Sequence, residues 1–203
     1  MTDADPRLEA LRAAILSGDP ARAMPSLAAL RDVPPEDAIP LLLLGLEQST
    51  FIVRSLACAG LGVKRSEAGW AALERVLRED PDANVRAEAA NALASYGVDP
   101  AWPLLRAAFV ADDQWLVRCS ILSALAEQQE MSPGRLLDLA RLALADADGT
   151  VRVGGAEILG RLVAQADGEE AEQARDLLAS LQGDPDHRVV AAALNGLASV
   201  NEH

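Results

Sequence analysis

The chain has 203 residues, half of them hydrophobic and only 3% aromatic, with a net charge of −13. Ala and Leu dominate and β-branched residues are sparse, which favours closely packed helices over a sheet, while the acidic balance sets most of the surface against a phosphate backbone. The longest apolar run, Ile39 to Leu46, falls far short of the roughly 20 residues of a membrane helix, and two cysteines, Cys58 and Cys119, make no disulfide framework.

The chain opens on MTDADPRLEA, which is acidic and has neither the basic nor the apolar region of a signal peptide. A cytoplasmic location is therefore expected. Residues 5–33 read as a pair of helices broken at Gly18-Asp19-Pro20, a degenerate N-terminal cap. Five units follow, at about 36–64, 66–97, 98–129, 133–165 and 170–200. Each carries an apolar-periodic stretch, then an acidic turn, then a second helix. The first stretches read IPLLLLGL, WAALERVL, WPLLRAAF, LLDLARLAL and EQARDLLASL. The longest polar connection, AQADGEEAE at 164–172, widens the spacing to the last unit. No domain boundary is expected, so residues 1–203 read as a single repeat domain.

The repeat signature lies at the turn and in the second helix. Val-Arg recurs as Val53-Arg54, Val85-Arg86, Val117-Arg118 and Val151-Arg152. Five positions before each Val stands Gln48, Asp80, Asp112 or Asp146, and a fifth copy has Asp184 before Val189, with Val190 at the Arg position. Eight positions after each Val stands Leu61, Leu93, Leu125, Leu159 or Leu197. Val, the residue four later and the Leu eight later share one helix face. Asp82, Asp148 and Asp186, three before the Val, suit a helix N-cap.

Units of this length with a D-P-x-x-x-V-R turn resemble HEAT repeats, and more narrowly the short HEAT-like repeats named after phycobilisome lyases. The resemblance implies an all-α fold, an α-solenoid of about six helical hairpins wound as a right-handed superhelix. It also implies a functional neighbourhood: subunits of cyanobacterial bilin lyases, proteins of phycobilisome degradation, and scaffolds. Fold does not fix function. The HEAT-repeat di-iron hydroxylases carry paired His-Glu motifs; here the histidines are His187 and His203, neither followed by Glu, so that iron site is not expected.

In such solenoids the second helices line the concave face. With Val as position zero, about 100° per residue puts +2, +6 and +9 opposite the core, with +10 at the edge. The partner-facing residues expected from these rows are Asn91, Ser95, Cys119, Ser123, Glu127, Glu157, Arg161 and Asn195. The +9 row (Gly62, Ala94, Ala126, Gly160, Ala198) would supply small walls. A second candidate surface is the turn edge, where Phe51, Trp115 and His187 stand two before the Val. Aromatics in such places anchor interfaces, or else pack on the next repeat. Trp70 and Trp102 open first helices and read as packing residues.

Arg54, Arg86, Arg118 and Arg152 recur in register with Asp80, Asp112 and Asp146, which predicts an Asp–Arg ladder between adjacent repeats. No base lies near Cys119, the Cys and His residues have no zinc spacing, and Gly154-Gly155 lies in a helix pattern, not a phosphate loop. No cofactor is expected from the residues; the resemblance adds a transient bilin. The reading is a non-catalytic adaptor, chaperone or scaffold for a protein partner. By resemblance that partner is a phycobiliprotein or another tetrapyrrole protein. The alternatives are a bilin lyase subunit and an assembly factor that bridges subunits.

Overall fold

The computed structural model of the protein describes residues 5–198. The end of the last expected repeat, 199–200, and His203 lie outside them. Among the described residues there are twelve α-helices and two short 3₁₀ turns, and no strand. The residues divide into two compact units, one ending at Ala108 and one starting at Phe109.

The first unit begins with α1 (Pro6–Ile15) and α2 (Pro20–Ala29), the expected cap hairpin. Asp5 and Asp19 cap them by accepting the N–H of Arg7 and Ala21 at 2.8 and 2.9 Å, with Pro6 and Pro20 at the first helical positions. A 3₁₀ turn, Leu30–Asp32, leads to α3 (Pro35–Leu46) and α4 (Phe51–Lys64). The next hairpin is α5 (Glu67–Glu79) and α6 (Ala83–Ala94), capped by Ser66 and Asp82. Helix α7 (Val98–Ala111) contains the division between the units.

The second unit continues with α8 (Trp115–Ala126), then α9 (Pro133–Leu144) with α10 (Gly149–Gln165), and α11 (Glu169–Ser180) with α12 (His187–Ala198). Ser132 caps α9 and Asp148 caps α10. Asp186 accepts the Arg188 N–H at 2.9 Å at the start of α12.

Both cores are built from the residues that the repeat signature places on one face. Val85, Ala89 and Leu93 of α6 are fully buried, as are Val117, Ile121 and Leu125 of α8. The first helices add Leu42, Leu73, Leu105, Leu139 and Leu178, each at most 1% exposed. Trp70 meets Tyr96 edge to face, with ring centroids 5.3 Å apart. The Tyr96 hydroxyl donates to the Leu61 carbonyl at 3.0 Å and accepts the Ser66 N–H at 3.2 Å, which ties α4 to the hairpin after it.

Candidate functional site: the second-helix face and the turn edge

The turns between first and second helices are joined by arginine forks. Arg54 donates Nε and Nη2 to the two carboxylate oxygens of Asp80, at 2.7 and 3.0 Å. Arg118 holds Asp146 in the same way at 2.6 and 3.0 Å, and Arg152 holds Asp184 at 2.9 Å through both nitrogens. The remaining nitrogen of each arginine closes its own turn: Arg54 on the Gln48 and Ser49 carbonyls, Arg118 on Asp112, Arg152 on Asp146 and Ala147. Arg86 likewise donates to the Asp80 carbonyl at 2.9 Å. The fork from Arg152 lowers the pKa of Asp184, and Asp184 in turn raises that of Arg152. These arginines are structural joints, and none of them lines the clefts described below.

The second-helix face differs between the units. In the second, Ser123, Glu127, Glu157 and Arg161 come together around a cleft of about 230 Å³ between α8 and α10, with Gly154 and Ala126 also lining it. Gly154 lacks the side chain that would meet Leu122. A neighbouring cleft of about 550 Å³ between α10 and α12 shares Glu157 and Arg161 and adds Asn195 and Arg188. Glu127, Glu157 and Arg161 form no ion pair with any described residue. Arg188 escapes the row assignment, although its place one before Val189 puts it at about 260° on the helix, beside the +6 row.

In the first unit Asn91 is exposed on α6, but Ser95 is not a partner-facing residue. Its half-buried hydroxyl lies 2.8 Å from the Gly62 carbonyl and 2.6 Å from that of Ala92, where it fastens α6 to the end of α4. The +2 and +9 rows also depart from expectation. Ala87, Ala94 and Gly62 are buried. The second helices pack side by side, so a row that faces away from the core of one hairpin faces its neighbour. A Cβ on Gly62 would come within 3.0 Å of Ala92, and one on Gly160 within 2.9 Å of the Gly196 Cα. The exposed stripe narrows to +6, with the −1 and +10 positions beside it.

Cys119 belongs to this packed flank and is half-buried; desolvation raises its thiol pKa, with the carboxylates of Asp148 and Asp146 adding to the effect. Cys58 is buried and desolvation pushes it up to about 12. Neither offers a thiolate at neutral pH. At the turn edge, Phe51 is 44% and Trp115 47% exposed, and His187 is exposed. The Asp186 carboxylate beside His187 is lowered to about 2, chiefly by the Arg188 guanidinium. Among the described residues no three His, Cys, Asp or Glu side chains are placed to hold a metal ion. No described helix is long and apolar enough to cross a membrane.

The model of the HEAT repeats matches residues 39–126. No curated protein sequence matches the chain. Among solved structures, human deoxyhypusine hydroxylase in complex with glycerol has a TM-score of 0.53 at 15% identity, covering 97% of this chain and 96% of that one. At that identity the likeness is one of fold. The matches are to HEAT repeats at large, and none of them singles out the phycobilisome-lyase branch. With its helical hairpins and its turn ladder the chain has an all-α fold, within which residues 39–126 are HEAT repeats.

Proposed function

We propose that the protein is a non-catalytic adaptor, chaperone or scaffold that holds a protein partner on its second-helix face. The observation that supports this reading is the pair of adjoining clefts in the second unit. They combine a small-residue lining at Gly154, Ala126 and Gly160 with charged groups, Glu127, Glu157 and Arg161, that no described residue pairs. Small residues let a partner backbone approach, and unpaired charges give it register. Ser123→Arg combined with Glu157→Arg should remove the partner from an affinity capture while leaving helicity and melting unchanged, since both side chains are exposed. Arg75→Glu on a first helix should leave capture intact. If the double variant still captures the wild-type set, the partner sits elsewhere.

A phycobiliprotein or other tetrapyrrole protein as partner rests on the repeat resemblance alone, as does a bilin lyase role. The visible absorption spectrum of the captured material decides it: a bilin band keeps the pigment reading, and a colourless eluate retires it. The exposure of Phe51 and Trp115 favours a second mode, bridging of subunits through the turn edge. Trp115→Ala would then weaken assembly where the double variant does not.

A further inference from the structure

We propose that the first unit carries its own binding groove, for an amphipathic helix of a protein partner with carboxylates flanking an apolar stripe. It goes beyond the second-unit clefts, because it involves different residues and a lining whose charged groups are cations alone. Helices α2, α3 and α4 and the 3₁₀ turn after α2 line an open groove of about 560 Å³. Leu30 and Leu42, each 1% exposed, lie deepest in it, with Leu27, Leu56, Ala59 and Val63 completing the apolar lining. Val63 is 68% exposed, more than any other large hydrophobic side chain among the described residues. Gly60 keeps the groove open to Leu42, with which a Cβ at that position would collide.

Charge identifies the occupant. The charged residues lining the groove are Arg31 and Lys64, with no carboxylate among the described lining residues, in a chain whose net charge is −13. The Lys64 ammonium is fixed in place, donating to the Arg31 carbonyl at 2.8 Å and the Val33 carbonyl at 2.7 Å. The Arg31 guanidinium is exposed and forms no ion pair with a described residue. Leucine-type side chains at i, i+3, i+4 and i+7 of a docked helix would fill the apolar lining, and acidic residues beside them would meet the two cations. The second-unit clefts, where Arg161 and Arg188 stand beside Glu127 and Glu157, have no such single sign of charge.

The test uses the full chain and two fluorescein-labelled helical peptides of about four turns, one with Leu on a single stripe flanked by Glu, the other with every Glu changed to Lys. Fluorescence anisotropy should show saturable binding of the Glu peptide. Val63→Asp and Arg31→Glu should each weaken it by about tenfold or more, with circular dichroism and melting unchanged because both side chains are exposed. Ser123→Arg with Glu157→Arg should leave that binding unaltered, so a failure of the second-unit reading does not carry over to this one. The proposal is overturned if the Lys peptide binds as tightly as the Glu peptide. It is equally overturned if Val63→Asp and Arg31→Glu change nothing, or if binding is lost only in the Ser123/Glu157 variant.

Discussion

Asp80 serves two chain segments with one carboxylate: it accepts both arms of Arg54 and also the N–H of Asp82 in its own turn, at 2.9 Å. Its side chain is 7% exposed and that of Arg54 13%. Asp80→Ala should cost about 2–3 kcal/mol in urea unfolding, since charge-assisted bonds are lost and a partly buried guanidinium is left behind. An unchanged midpoint would make the fork ornamental. The carboxylates also set a pH dependence. Asp82, Asp148, Asp184 and Asp186 are all held below their ordinary pKa, Asp186 at about 2. The native state then binds fewer protons than the unfolded one below about pH 4, so stability is present above that value and falls as pH drops toward 2. Asp186→Asn should flatten this acid loss in urea melts between about pH 4 and 2. The forks were legible because Asp and Arg recur at fixed offsets. Ser95 was not, because a hydroxyl on an exposed-looking row gives no sign of the Gly62 carbonyl that a neighbouring helix brings to it.

The helices follow directly from periodicity and caps. What one helical wheel cannot contain is the second neighbour. A second helix has another second helix beside it, so Gly62 is buried against Ala92 though it lies opposite its own core. The α10–α12 seam shows what this demands: Gly160 and Gly196 meet backbone to backbone. Gly160→Val should destabilise the second unit by about 1–3 kcal/mol through overpacking, read as a lower melting temperature. Leu93→Ala, in the fully buried row of α6, should cost about 2–5 kcal/mol. A near-neutral result would shift the register of the whole repeat.

Across the molecule, one repeat pattern supports two unlike surfaces: an apolar groove with two neighbouring cations in the first unit, and clefts with unpaired glutamates and arginine in the second. The sequence rows expose the charged residues of the second unit readily. They reach only the rim of the groove, Ala59 at +6 and Val63 at +10, because Leu30 and Leu42 come from a 3₁₀ turn and a first helix that belong to no second-helix row. Repeat stability is largely local, so Leu93→Ala should speed amide exchange in α5 and α6 well before α12; uniform acceleration would mark a single cooperative block. The forks bear on how such a chain changes length. The segment 146–183 begins with an Asp146 filled by Arg118 and contains an Arg152 that fills Asp184. It is a cassette with a socket at its head and a plug further in, so an in-frame duplication would bring both halves of its new joint and add no net charge at that joint. Growth by copying is thereby made chemically neutral at the seam, and the surfaces between seams are left to diverge.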